Sequence, residues 1–176
     1  WLTAAEIAKA AHLQKPQTDK PLRQKGGRGH AIKTLNSFLN GRASKYRGGI
    51  SSPLSSVEAG SRLSPYLAWG VVSVKEVMHA LWQQHIRIRQ NPEKYPKNLP
   101  AGLSAFESRM HWHCHFMQKL ESEPMIEYQN LHSAFNGLRD ENYSQPESHE
   151  RMQRWQQGKT GWPLVDACMA MLRDTG

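Results

Sequence analysis

The sequence predicts a mainly α-helical domain, on three observations. Apolar residues recur at three- and four-residue spacing in several stretches, most of them opened by a helix-start signal. Nothing shows sustained strand alternation, a βαβ rhythm or an internal repeat. With 38% hydrophobic residues, six Trp and seven Met among 176 residues, the chain can bury one real core, so one domain is expected.

The elements follow in chain order. Residues 2–13, "LTAAEIAKAAHL", carry Thr3 as N-cap with Glu6 three residues on, then Ile7, Ala10 and Ala11 at helical spacing. Residues 14–29, "QKPQTDKPLRQKGGRG", mix prolines, glycines and basic residues without apolar periodicity and read as an exposed loop. In "HAIKTLNSFLNGRASKY", Ile32, Leu35, Phe38 and Leu39 form one helical stripe that Gly41 can close. Arg47 to Gly60 is rich in Gly and Ser and reads as irregular.

Two helix starts come next: Ser64 followed by Pro65 at the first helical position, and Ser73 with Glu76 in a capping box, the two helices meeting at Gly70. "NPEKYPKNLPAG" reads as a proline-broken connection, and "LSAFESRMHWHCHFMQKLES" as a helix with Ser104 and Glu107 in a third capping box. Residues 130–150 are polar and poorly periodic, with room for one short helical turn. "RMQRWQQGKTGWPLVDACMAML" then gives a short helix, a Gly-Lys-Thr-Gly loop and a helix opening at Pro163.

Composition narrows the function classes. Lys and Arg outnumber acids 23 to 15, a formal charge of +8, which favours a polyanionic partner, nucleic acid first; a basic but indifferent surface is the competing reading. The 22% charged content, a mean hydropathy of -0.70 and the lack of an apolar run near the roughly 20 residues of a spanning helix argue against a membrane. Cys114 and Cys168 are too few for a disulfide framework or a four-cysteine zinc site, a usage that fits a reducing cytoplasm. The start on Trp1 without a signal pattern and the end on "RDTG" lead us to expect a piece of a longer protein.

Three stretches carry candidate chemistry. On a helix, His111, Cys114 and His115 fall at i, i+3 and i+4, with Trp112 and Phe116 on the neighbouring face. Structural zinc takes four ligands, usually from two elements. No second motif offers the fourth, so polar groups of a wet cleft are the favoured reading and no metal is expected. "GKTG" at Gly158–Gly161 lacks the glycine spacing and the preceding strand of a nucleotide P-loop, but a cation and flexible backbone beside a helix start attract anions. "GSRLSP" at Gly60–Pro65 offers the same physics with two hydroxyls and the Arg62 guanidinium; simple capping is the alternative.

Together these segments resemble the flavin-binding helical domain of the DNA photolyase and cryptochrome family, in the family's order and over most of the chain. "GHAIKTLNSFLNGRASKY" is similar to a Gly-x-x-x-Ala-x-x-x-Leu-x-x-Phe-Leu segment leading to a tyrosine, here Tyr46. "GSRLSPYLAWGVVSVKEV" resembles Thr-Ser-Arg-Leu-Ser-Pro-Tyr-Leu-x-x-Gly-x-Ile-Ser, with Gly60 in place of the threonine. "SRMHWHCHF" is similar to Ser-Arg-Leu-x-Trp-Arg-Asp-Phe-Phe, and "WQQGKTGWPLVDACMAMLRDTG" to Trp-x-x-Gly-Lys-Thr-Gly-Tyr-Pro-Leu-Val-Asp-Ala-x-Met-Arg-x-Leu-x-x-Thr-Gly.

The resemblance implies that residues 1–176 are the N-terminal part of the helical FAD-binding domain. The α/β domain that can carry an antenna chromophore, and the later helices of the FAD domain, then lie outside this chain, which alone would bind FAD weakly or not at all. It implies that Tyr46, Ser61, Arg62, Leu63 and Ser64 contact FAD, the last four mainly at its phosphates, and that Phe106, Arg109 and His113 lie beside the flavin. Trp112 takes the position that stacks on a flipped-out pyrimidine dimer, with Arg109, His113 and Phe116 as further contacts to damaged DNA. The implied activity is light-driven: reduced FAD donates an electron to a cyclobutane pyrimidine dimer, which splits and returns it. The full-length protein is expected to be a monomer.

The departures from the pattern are specific. His113 and Cys114 stand where the family has Arg then Asp or Glu, Arg109 where many photolyases have Glu, and Ala170 where Arg is customary; Glu141 to Met152 holds no relay tryptophan, Tyr143 being its only aromatic. Three readings follow: a photolyase, a cryptochrome-like blue-light receptor, or a helical module that binds nucleic acid by charge alone. The third gives no reason for Ser61–Tyr66 and Gly158–Met169.

Overall fold

The computed structural model describes residues 3–12, 20, 22–138 and 145–175. Every regular element among them is helical: α1 (Ala4–Ala10), α2 (Arg28–Asn40), α3 (Tyr46–Gly49), α4 (Ser56–Ala59), α5 (Ser64–Ala68), α6 (Val74–Gln90), α7 (Leu99–Ser122), α8 (Pro146–Gln156) and α9 (Pro163–Thr175), with short 3-10 turns including Arg42–Lys45. The mainly α expectation therefore holds. Leu2 and Leu13 at the edges of the first expected helix, residues 14–19 and 21 of the expected loop, and Tyr143 lie outside the described residues.

Helical spacing decides the core. Leu35, Phe38 and Leu39 of α2, Val77, Leu81 and Ile88 of α6, and Leu99, Leu103, Phe106 and Met110 of α7 are buried together with Ala43, Tyr46, Leu63, Tyr66 and Val72. Each fully buried Leu or Phe contributes about 1.5–3 kcal/mol against leaving it in water. Gly102 lets α7 press onto the Arg42–Lys45 turn, with no room there for a side chain. The apolar register of α7 ends at Met110; from His111 to Gln118 every residue is exposed, and α9 has no fully buried residue.

Two expected capping boxes form, Thr3 with Glu6 and Ser73 with Glu76. The third does not. Leu99 and Pro100 already fit the first turn of a helix, so α7 begins five residues before Ser104, which with Glu107 falls inside it. Glu107 instead accepts the indole N–H of Trp82 at 2.8 Å. Ser64 is likewise not a cap: Leu63 precedes the helix, no side chain caps it, and Pro65 sits in its first turn. α2 begins at Arg28, inside the expected loop, where Arg28 pairs with Glu76 at 2.5 Å. The stretch read as irregular contains α3 and α4, although Arg47 and Gly48 leave helical geometry and Gly48 has φ 93°.

Candidate functional site

The loop Gly60–Ser64 is held from beneath. Arg42, half-buried, donates from its guanidinium to the carbonyls of Gly60, of Ser61 at 3.3 Å, of Thr34 at 3.2 Å and of Glu58 at 3.4 Å, and from Nε to the Ser37 hydroxyl at 3.0 Å. Burial lowers the Arg42 guanidinium from its ordinary range, and the neighbouring Arg62 charge adds to that. Gln24 donates to the Arg62 carbonyl at 2.7 Å. Arg62 itself has φ 60°, a left-handed conformation uncommon outside glycine and most often retained where function needs it. Ser61 and Arg62 are half-buried and Ser64 is exposed, while the Leu63 side chain is core, so Leu63 offers a ligand only its backbone.

A second feature lies on α3 and the middle of α7. A cavity of about 280 Å³ is lined by Tyr46, Arg47, Ile50, Ala105, Arg109 and Trp112, among others. Ligand pockets typically run from about 300 to 1,000 Å³, so this one has room for a single ring system or base and not for a whole dinucleotide. Trp112, at its rim, is 60% exposed. Tyr46 is buried; burial pushes its hydroxyl up from the ordinary range, with Arg109 pulling the other way. The Tyr46 ring meets Phe38 and Phe106 edge-on at 5.4 and 5.8 Å, and those two rings meet at 4.8 Å. A larger hollow along Ser122–Gly137 contains none of the expected site residues.

The expected residues thus separate into groups. Tyr46, Arg109 and Trp112 share the cavity; Ser61, Arg62 and Ser64 share the loop; His113 and Phe116 are exposed on α7 outside the cavity. Phe106 is 3% exposed and sits in the aromatic cluster under Tyr46, a floor residue that does not reach the cavity. His111 and Cys114 line another hollow with His79, Trp82 and Met110, and no group of three His, Cys, Asp or Glu able to hold a metal ion occurs among the described residues.

The Gly158–Gly161 loop overturns the anion reading given to it. Asp166 of α9 accepts the Thr160 N–H at 2.8 Å, the Thr160 hydroxyl at 2.7 Å and the Gly161 N–H at 3.0 Å. These bonds, the Thr160 hydroxyl first, hold the Asp166 carboxyl below its usual range. The chain's own carboxylate fills the place an anion would take. Gly158 has φ 64°, and a side chain there would press on the Asp166 carbonyl.

Sequence reasoning missed Arg42, Gln24 and Arg47. Arg42 and Gln24 act on backbone carbonyls, which every sequence supplies, so no partner residue marks them. Arg47 was visible only as a neighbour of Tyr46.

Comparison with known proteins decides the family. The family described as the FAD binding domain of DNA photolyase matches residues 106–176. A deoxyribodipyrimidine photo-lyase of Streptomyces griseus is 30% identical over 155 residues, 86% of this chain and 28% of that protein. The chain belongs to the DNA photolyase/cryptochrome family. Within the family, a cryptochrome DASH of Idiomarina loihiensis is 27% identical over 151 residues, covering 86% of this chain and 30% of that protein. The crystal structure of a bacterial class III photolyase from Agrobacterium tumefaciens superposes with a TM-score of 0.67 at 25% identity, over 99% of this chain and 31% of that one. The chain spans less than a third of the length of these relatives. Its fold is that of part of the helical FAD-binding domain, and FAD is the cofactor of this family.

Proposed function

We propose that this chain is the N-terminal part of the FAD-binding domain of a deoxyribodipyrimidine photolyase, which splits cyclobutane pyrimidine dimers in damaged DNA by electron transfer from reduced FAD. The observation that carries this reading is the exposed Trp112 on a one-ring cavity that is also lined by two cations, Arg47 and Arg109. An indole face stacks on any base for about 1–3 kcal/mol, which offsets much of the cost of unstacking a damaged pair. The cations neutralise flanking phosphates and leave the base unread.

The residues present fit FAD. Arg42 is a half-buried guanidinium whose partners are all neutral, set beside a second cation, Arg62, whose loop also bears the Ser61 and Ser64 hydroxyls. A diphosphate supplies the missing negative charge. Ser61, Arg62, Ser64 and the Leu63 backbone would hold it, Tyr46 would be a further contact to FAD, and Phe106 would keep the Tyr46 ring in place. The cofactor supplies the light-driven electron; the protein supplies orientation and a dry wall.

A cryptochrome-like photoreceptor without repair is the second reading, favoured by one observation: one of the two cations lining the cavity is Arg109, where many photolyases carry an acid. Blue illumination of the full-length protein, with fully reduced FAD and a dimer-containing oligonucleotide, separates the two. Loss of dimer supports repair, and no turnover contradicts it.

A further inference from the structure

We propose that Arg42, assisted by Gln24, is a positioning residue that shapes Gly60–Ser64 for a diphosphate and thereby makes the site select a dinucleotide flavin over one lacking phosphate. The inference rests on the flavin reading above and deepens it. Its ground is where the polar groups of the loop point. The carbonyls of Gly60 and Ser61 are taken by Arg42, the carbonyl of Arg62 by Gln24, and the carbonyl of Leu63 by the Leu67 N–H. Four successive acceptors are thus committed to the protein.

The donors are not. The Gly60 N–H bonds to Ser56, and the Leu63 N–H reaches the Ser61 hydroxyl at 3.4 Å, but the N–H groups of Ser61, Arg62 and Ser64 find no acceptor among the described residues. With every carbonyl committed to the protein, these N–H groups are the loop's available polar groups, and successive free backbone donors are what holds phosphate oxygens in an anion-binding nest. The left-handed Arg62 is the conformational cost of that turn, and Gln24 pins it at its carbonyl.

Arg42 does this without touching the ligand. Its guanidinium is spent on Thr34, Glu58, Gly60 and Ser61, and its stem is fixed by Ser37 and by the Phe38 ring, 5.6 Å below the guanidinium carbon. A lysine has no planar fork to span several carbonyls. It would carry the charge and lose the shape.

The test measures FAD and riboflavin affinity of the full-length apoprotein by fluorescence, for the unmodified chain, Arg42→Lys, Arg42→Ala and Gln24→Ala. Riboflavin shares the ring system and lacks the phosphates. Losing one or two charge-assisted bonds to phosphate corresponds to about 10- to 100-fold in affinity. We expect FAD to weaken by that order in both Arg42 variants while riboflavin stays within about threefold, with Gln24→Ala in the same direction and smaller. Equal weakening of both flavins means a merely structural role and overturns the inference. FAD affinity unchanged in Arg42→Ala overturns it too, leaving the flavin reading intact. Should Arg42→Ala fail to fold, Gln24→Ala, which leaves the Arg42 contacts in place, decides by the same ratio. An unmodified apoprotein that binds no FAD overturns the flavin reading and this inference together.

Discussion

Gly102 of α7 lies against the backbone of Ala43 so closely that a Cβ on it would stand 1.7 Å from the Ala43 carbonyl oxygen. The obstacle is backbone, so no side-chain rotation relieves it. Gly102→Ala should therefore push α7 off the Arg42–Lys45 turn. Overpacking in a well-filled core costs typically about 1–3 kcal/mol, and this contact belongs at or above the upper end. Urea unfolding checks it: a midpoint within error of the unmodified protein would contradict the close approach.

Phe106 and Trp112 should separate cleanly. Phe106→Ala empties the centre of the Phe38–Tyr46–Phe106 cluster and should cost about 3–5 kcal/mol of stability. Trp112→Ala removes an exposed indole and should shift stability by about 0.5 kcal/mol or less. Thermal melts of the two variants, run side by side, give the comparison; similar losses would mean that Trp112 is structural.

The acid side of the stability curve should carry a mark of Glu76. Its carboxyl is held at about 2, against an ordinary 4.5, first by the Arg28 hydrogen bond and then by the Ser73 N–H. A lowered folded-state value stabilises above the unfolded value and is lost as pH falls from about 4.5 toward 2. The Tm gap between the unmodified protein and Glu76→Gln should be constant above pH 5 and close below pH 4.5. The group is exposed, so the gap should be small and shrink with salt. Parallel curves down to pH 2 would contradict the pairing.

Asp166→Ala should loosen one loop and little else. The Thr160 and Gly161 N–H groups lose their acceptor. Hydrogen exchange at those two amides should speed up while amides in α2 and α6 keep their protection. Uniform acceleration across the chain would mean that Asp166 holds more than its loop.

The fold was legible where periodicity and caps act locally. Leu35, Phe38 and Leu39 read as one stripe and are one stripe; Thr3 with Glu6 and Ser73 with Glu76 read as caps and cap. Ser104 with Glu107 has the same pattern and fails, because a helix already under way at Leu99 leaves no free N–H for Ser104 to satisfy. Of the site, the residue types were legible and their depth was not. Leu63 and Phe106 carry motif positions yet point into the core, which sequence spacing alone does not reveal. The Gly158–Gly161 loop misled for a related reason: Asp166, which quenches it, sits five residues beyond Gly161 and reads as an ordinary first-turn acid.

If the Arg47–Arg109–Trp112 cavity receives a damaged base, one ratio must change when the indole is removed. The affinities of full-length Trp112→Ala for dimer-containing and for undamaged oligonucleotide are compared with those of the unmodified protein at fixed salt. Flavin content should be kept, and the preference for the dimer should fall by about 5- to 150-fold, the worth of one stacked base. Equal loss on both oligonucleotides, or an undiminished preference, would contradict it.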